Sequence, residues 1–168
     1  SILSAIPFYF IFSMATLNTS EIYRGEVMLF GNKLIENMST ILKGGFMKYY
    51  WNSFYTSAMS ALLCLFISAM AAYGLTVYNY KARNFITNFI VASMMIPGQI
   101  SLIGYTVEMK NFGFINTHMP LILTWAASAY SVYFIIQYMK SSLPMELVES
   151  ARIDGSGEFR TFISIALP

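Results

Sequence analysis

The sequence predicts an all-α protein, a polytopic bundle of membrane-spanning helices. Of its 168 residues, 57% are hydrophobic and only 11% are charged, whereas soluble domains are about 45–50% apolar and about 25% charged. A water-soluble enzyme of this length would need more polar surface than these charges supply. The charged residues also leave four long gaps along the chain, at residues 1–20, 49–80, 84–107 and 111–139.

Several other classes of protein are excluded by composition. High hydrophobicity, 10 glycines and a single cysteine exclude disorder, collagen and a disulfide scaffold. A net charge of +2 is too small to indicate a nucleic-acid partner. His118 and Cys64 are the only residues of their types, so the sequence predicts no metal site. No glycine-rich phosphate loop occurs, so any ATP hydrolysis by that route belongs to another polypeptide.

The charge-free gaps predict four transmembrane helices, because about 20 mainly apolar residues cross the hydrocarbon core. The first gap is short by that measure, and we interpret it as a span whose beginning is missing. Segment 18–52 is expected to be extracytoplasmic and to carry a short amphipathic helix, since Leu34, Met38, Ile41 and Leu42 recur at helical spacing. The predicted spans lie at residues 1–17, 53–78, 85–107 and 119–139.

Two features inside the spans are open to two interpretations each. Pro97-Gly98 interrupts the third span, either as a simple bend or as a break that lines a substrate path. Small residues recur along the second span at intervals of three or four and favour close helix packing over a role in a pathway. These small residues are Ser57, Ala61, Cys64, Ser68 and Ala72.

The orientation follows from the short loop after the second span. This loop contains Lys81 and Arg83 without an acidic residue, and cationic loops stay in the cytoplasm. Residues 140–168 are then cytoplasmic as well.

The C-terminal segment predicts two short helices joined by a glycine. Pro144 suits a first helical turn, and Asp154-Gly155 ends that helix because glycine adopts the left-handed conformation at low cost. Leu147 and Ala151 share one face of the first helix, and Ser156 is expected to begin the second. The result is a helix–Gly–helix hairpin after a membrane span.

This segment resembles the EAA loop of bacterial ABC importer permeases. The loop pattern is E-A-A, two residues, D-G-A, five residues, F, two residues, I, one residue, L-P. Ser150 and Ser156 stand where the family usually has alanine. The D-G form, with "WNSFYTS", "MMIPGQ" and "NFGFINTHMPLIL" ahead of it, is similar to the sugar-importing, maltose-type branch over about residues 46–168. The matching residues are Glu149, Ala151, Asp154, Gly155, Phe162, Ile165, Leu167 and Pro168.

The resemblance implies a multi-pass permease subunit, of the type I importer kind, in a bacterial cytoplasmic membrane. It implies a second homologous permease subunit, two ATP-binding cassette subunits that hold ATP and Mg²⁺, an extracytoplasmic sugar-binding protein and surrounding lipid. This chain would then be no enzyme and would hold no cofactor. Such permeases continue past the L-P with two more helices, so we expect a single, incomplete permease domain. The ATPase-coupling residues would be Glu149, Ala151, Asp154, Gly155, Phe162, Leu167 and Pro168.

Some residues, and the function itself, have alternative interpretations. Glu149 is expected to pair with a basic residue of an ATPase subunit or, alternatively, with Arg152 on its own helix. Asp154 either caps the second helix or contacts the ATPase. The rival functions are a membrane-embedded enzyme or assembly factor and a passive homo-oligomeric channel. Candidates for a sugar path, with core packing as the alternative, are Gln99, Trp125, Tyr130 and Gln137, because sugars need hydrogen bonds and an aromatic face.

Overall fold

The computed structural model describes residues 2–167, and this part of the chain is helical without any β-strand. The chain divides into two compact units, residues 1–54 and 55–168. The division falls inside the longest helix, α4 (Phe46–Val77).

The first unit contains a short apolar helix followed by polar segments. A 3₁₀ turn, Ile2–Ala5, leads into α1 (Ile6–Ala15), and the apolar stretch is shorter than a full crossing of the membrane requires. Asn18 ends this stretch by capping α2 (Thr19–Tyr23): its side chain accepts the Glu21 N–H at 2.9 Å, and the Glu21 carboxylate accepts the Asn18 N–H at 2.8 Å. This capped helix was not among the predicted elements.

The expected amphipathic helix is present as α3 (Leu34–Lys43). The Asn37 side-chain amide donates to the carbonyl oxygens of Ala15 at 2.9 Å and Leu17 at 2.8 Å. These carbonyls lie at and just beyond the last turn of α1, where intrahelical donors run out. Asn37 therefore fixes α3 to the end of α1.

In the second unit, the third predicted span is two helices rather than one. Helices α5 (Arg83–Ser93) and α6 (Gly98–Asn111) meet at an angle of 100°. Pro97 lies at the junction in an extended conformation, with ψ of 124°, and proline also disfavours helical geometry in the residue before it. Pro97-Gly98 therefore interrupts the third span sharply, because the axis turns by more than a right angle between the two helices.

The fourth predicted span also contains a break. Helices α7 (Met119–Ala126) and α8 (Ala129–Ser142) are separated by Ala127 and Ser128, both in extended conformations. The Ser128 hydroxyl accepts the Ser131 N–H at 3.2 Å and so begins α8. A continuous helix had been predicted over residues 119–139.

Length and composition identify the helices that are able to cross a membrane. Within residues 2–167 they are α4 and the pair α7–α8, and a third crossing is possible if the bent pair α5–α6 is one span. Helix α4 begins at Phe46, earlier than the predicted residue 53. The all-α membrane fold is confirmed.

The core of the second unit joins one end of α4 to α8 and to the C-terminal hairpin. Ser68 and Ala72 are fully buried there, so this half of the small-residue stripe packs as expected. Outside this cluster many large apolar side chains are exposed, as a lipid-facing or partner-facing surface requires. The cluster contains Ala69, Ala72, Tyr73, Leu75, Val77, Val132, Ile136, Met139, Val148 and Phe162.

Candidate functional site

The predicted hairpin is formed by α9 (Met145–Ile153), α10 (Glu158–Thr161) and a π-helical turn, Phe162–Ala166. Helix α9 ends in a Schellman motif: the Ser156 N–H donates to the Ala151 carbonyl at 2.9 Å, and the Gly155 N–H donates to the Arg152 carbonyl at 3.1 Å. Gly155 has φ of +79°, the left-handed conformation that the motif requires. The glycine thus reverses the chain between the two short helices.

The second helix of the hairpin begins one residue later than expected. Its N-cap is Gly157, and neither Ser156 nor Asp154 provides a side-chain cap. The Ser156 hydroxyl instead accepts a hydrogen bond from Thr161 at 3.1 Å, and Thr161 is fully buried. Asp154 is the exposed C-cap residue of α9.

Apolar contacts anchor the hairpin to α4. Phe162 is 3% exposed, and its ring lies 5.4 Å from that of Tyr73 and 6.2 Å from that of Phe66. Val148 and Ala151 form the buried face of α9, whereas Leu147, predicted on that face, is 51% exposed. The hairpin is therefore packed against α4 by side-chain contacts.

The opposite side of the hairpin is exposed. Glu149 lies on this side of α9, and Ile153 at its end is 87% exposed. Arg152 forms its ion pair with Glu158 rather than with Glu149, since its Nε lies 2.7 Å from Glu158 Oε1. The intrahelical pair considered for Glu149 is not formed.

Electrostatics in the hairpin centre on Glu158, which the sequence analysis did not single out. Hydrogen bonds from Arg152 and then from Tyr78 hold the pKa of the Glu158 carboxyl below its usual value. Burial, followed by the hydrogen bond to Glu158, raises the pKa of the Tyr78 phenol. The sequence did hold a signal for this pair, because Arg152 and Glu158 carry opposite charges on either side of the glycine turn.

Two of the remaining coupling positions lie at the end of the chain. Leu167 is 45% exposed and, with Ile165, lines an apolar cleft of about 460 Å³ between the hairpin, α4 and α8. Pro168 lies outside the described residues.

A second cleft, of about 590 Å³, lies beside the break between α7 and α8. Trp125 stands at its edge with 67% of its surface exposed. The Ser60 hydroxyl donates to the Thr56 carbonyl at 2.7 Å, and the Cys64 thiol donates to the Ser131 hydroxyl at 3.4 Å. All of its lining residues are uncharged: Thr56, Ser57, Ser60, Ala61, Cys64, Leu121, Trp125, Ser128 and Ser131.

The structure places only one of the four candidate sugar-path residues in this cleft, Trp125. Gln99 is exposed in the first turn of α6, and Gln137 is exposed on α8. Tyr130 stacks on Phe134 with the ring centroids 6.3 Å apart. Ser57, Ala61 and Cys64, predicted to pack between helices, line the cleft, and Cys64 also contacts Ser131 of α8.

Across the described part of the chain, no three His, Cys, Asp or Glu side chains come close enough to hold a metal ion. The arrangement offers binding surfaces: one hairpin for a partner and one neutral cleft for a ligand.

Comparison with known proteins agrees with this geometry. Residues 64–168 match the family described as "Binding-protein-dependent transport system inner membrane component". The chain belongs to this family. It is thus a membrane component of the ABC permease type, and the predicted family is confirmed.

Named relatives extend the similarity beyond the matched region. The lactose transport system permease protein LacG of Rhizobium radiobacter is 30% identical over 167 residues, covering 99% of this chain and 60% of LacG. The sn-glycerol-3-phosphate permease UgpE of Brucella abortus is 30% identical over 99% of this chain and 62% of UgpE. The arabinooligosaccharides permease AraQ of Bacillus subtilis is 33% identical over 79% of this chain and 48% of AraQ. The chain thus spans about 60% of the length of its first relatives, and no solved structure matches it significantly.

Proposed function

We propose that this permease is a subunit of an ATP-driven sugar importer and that the hairpin at 141–168 couples it to an ATPase. The observation that carries the proposal is the two-sided hairpin. One side packs Val148 and Phe162 into the core shared with α4 and α8, and the other side presents Glu149 and Ile153 to solvent. Such an element transmits a push from a partner directly to the spanning helices.

The exposed side of the hairpin suggests the chemistry of that partner. Ile153 is an apolar projection at the tip, and Glu149 and Asp154 are exposed acids beside it. A matching surface has an apolar pocket with a basic rim. We assign this surface to an ATP-binding cassette subunit, which would hold the ATP and Mg²⁺ and carry out hydrolysis. Two such subunits, a second permease, an extracytoplasmic sugar-binding protein and lipid complete the proposed assembly.

The cleft beside the helix break supplies a candidate sugar path. The exposed indole of Trp125 offers an apolar face, and the hydroxyls of Ser57, Ser128 and Ser131 offer hydrogen bonds. The break at Ala127 also leaves carbonyls at the end of α7 without intrahelical donors. Broken helices of this kind form the binding sites of many transporters.

The choice of sugar as the substrate class rests on the relatives and on the charge of the cleft. LacG and AraQ are named for lactose and for arabinooligosaccharides, and UgpE is named for sn-glycerol-3-phosphate. A phosphate-bearing substrate calls for Arg or Lys, whereas the lining residues found here are all neutral. We therefore infer a neutral carbohydrate. In this arrangement the loop with Lys81 and the hairpin face the cytoplasm, and segment 18–52 faces outward.

The test is to reverse the charge of Glu149 in the intact protein expressed with its transport partners. Glu149→Lys should remove most of the ATPase subunit that co-purifies with the permease and abolish sugar uptake, because a basic rim would then meet a cation. Glu146→Lys is the matched control, since Glu146 is an exposed glutamate one turn earlier on α9. Wild-type co-purification and uptake in Glu149→Lys would overturn the assignment of the hairpin.

A further inference from the structure

Glu158 is the meeting point of three parts of the structure. Its Oε1 accepts from Arg152 Nε at 2.7 Å, and its Oε2 accepts from Arg152 Nη2 at 3.1 Å. The same Oε2 accepts from the Tyr78 hydroxyl at 2.7 Å and from the Tyr73 hydroxyl at 3.4 Å. One carboxylate thus connects α9, the start of α10 and the end of α4.

The geometry of these contacts restricts rotation. The Arg152 guanidinium grips the carboxylate with two nitrogens, and its central carbon lies 5.6 Å from the centre of the Tyr78 ring. The Tyr78 ring in turn meets the Tyr73 ring edge to face at 6.0 Å. Two-point ion pairs and ring contacts fix orientation as well as distance.

The ion pair adds little stability of its own. The Arg152 and Glu158 side chains are 34% and 45% exposed, and exposed ion pairs contribute little to folding because water screens them. The apolar attachment of the hairpin comes instead from buried side chains such as Val148 and Phe162, and the Phe162 ring packs against Tyr73. The Glu158 contacts therefore serve to fix the orientation of the hairpin rather than to stabilise the fold.

The apolar attachment by itself leaves the hairpin room to tilt. Beside Phe162 lies a cleft of about 220 Å³, lined on the α4 side by Met70 and Gly74 and on the hairpin side by Phe159. The apolar packing of Phe162 leaves this space unfilled and so does not by itself prevent movement into it. Glu158 and Tyr78 lie at the same cleft and join its two walls by a hydrogen bond.

We infer that Glu158 is a positioning residue that locks the hairpin to the end of α4, so that the two move as one body. In this account Arg152 orients the carboxylate and Tyr78 receives the force. The consequence for transport rests on the proposed function: the lock converts movement of the ATPase into movement of α4, and without it part of that movement is lost in tilting of the hairpin.

The first experiment measures the amount of sugar imported per ATP hydrolysed, in proteoliposomes containing the intact transport complex. Glu158→Ala should lower this ratio several-fold while ATP hydrolysis continues, because the ATPase still docks but its movement is poorly transmitted. Tyr78→Phe should lower the ratio less, because it removes one of several contacts. Glu146→Gln, a change at an exposed carboxylate of the same hairpin, should leave the ratio at the wild-type value. A defect in folding or assembly would instead lower uptake and hydrolysis together.

The second experiment restores the connection chemically. In a background without other reactive cysteines, the pair Tyr78→Cys and Glu158→Cys removes the lock, and a bifunctional thiol cross-linker should then bring the sugar-to-ATP ratio back toward that of the same background with Tyr78 and Glu158 intact. If the two segments separate during transport, cross-linking will stop uptake, and the proposal is wrong. It is also wrong if Glu158→Ala keeps the wild-type ratio.

These outcomes are distinct from failure of the proposed function. If the unaltered complex imports no sugar on addition of ATP, the proposed function fails. If it does import sugar and the ratio is insensitive to Glu158, only the role of Glu158 fails. A measurement without transport separates the two further: amide exchange in residues 156–162 should accelerate in Glu158→Ala and remain unchanged in Glu146→Gln.

Discussion

The ring of Phe162 packs against the ring of Tyr73 with their centroids 5.4 Å apart. Phe162 belongs to the hairpin and Tyr73 to the last turns of α4. Through this contact the hairpin, whose other side is exposed to a partner, packs into the core beside a membrane-spanning helix.

Removing the buried ring should detach the hairpin. A buried phenylalanine changed to alanine costs about 3–5 kcal/mol, and Phe162 is 3% exposed. Phe162→Ala should therefore increase amide exchange throughout α9 and α10 and abolish uptake while the chain still inserts into membranes. Phe159→Ala is the matched control, because Phe159 is 62% exposed. Equal exchange in the two variants would show that this ring does not anchor the hairpin.

Gly155 should be sensitive to backbone strain alone. Its φ is +79°, and a Cβ placed there would meet nothing within 4 Å. Gly155→Ala should thus destabilise the turn by roughly 1 kcal/mol or more, the cost of a left-handed conformation for a residue with a side chain, and uptake should fall. Gly157 has equal space but φ of −69°, so Gly157→Ala carries no left-handed strain and should cost less than Gly155→Ala, its cost being that of alanine at an N-cap. Uptake assays of the two variants side by side test this, and an equal loss in both would refute the strain argument.

Trp125 should contribute to the affinity for sugar, whereas Tyr130 should not. An aromatic contact worth about 0.5–1.5 kcal/mol beyond its buried area corresponds to roughly a two- to tenfold change in affinity. Trp125→Ala should raise the sugar concentration for half-maximal uptake by that factor. Tyr130→Ala should not, because Tyr130 stacks on Phe134 away from the cleft lining. The reverse result would move the sugar path to the opposite side of α8.

The contacts of Glu158 should persist over a wide pH range. Arg152 and Tyr78 lower the pKa of Glu158, so its contribution is present above the ordinary glutamate value of about 4.3 and is lost only as the pH falls through the lower folded value. Burial raises the pKa of the Tyr78 phenol, so the phenol stays protonated, and able to donate, beyond the pH at which an ordinary tyrosine titrates. A ¹³C titration of glutamate carboxyls should show a low midpoint for Glu158 that returns toward normal in Arg152→Ala. An unchanged midpoint in that variant would contradict this cause.

Local signals in the sequence were sufficient for several elements. The spacing of Leu34 and Met38 predicted α3, the Asp154-Gly155 turn predicted the hairpin, and Pro97 marked a true interruption. Each of these depends on residues close together in the chain. The angle of 100° at Pro97 was not predictable, because a hydropathy count assumes a straight helix.

The cleft was not predictable from residues close together in the sequence. Ala127 and Ser128 carry no strong helix-breaking signal, and the break lies where α8 meets the hydroxyl-rich face of α4, as in the contact between Cys64 and Ser131. The break also resets the helical phase, so Tyr130 and Gln137 could not be placed relative to Trp125 by counting residues. In the same way, the candidate partner of Arg152 was Glu149 on its own helix, whereas the glycine turn brings Glu158 to it instead.

The central claim is that this permease moves a neutral sugar by force transmitted through its hairpin from an ATPase. The most direct measurement is sugar accumulation in proteoliposomes that contain the intact protein, its partner subunits and the binding protein, with and without ATP inside the compartment that the hairpin faces. We predict accumulation against a gradient only when both ATP and the binding protein are present, and its loss in Glu149→Lys. Sugar equilibration without ATP, as in a passive channel, or ATP-driven accumulation that is unaffected by Glu149→Lys, would contradict the account.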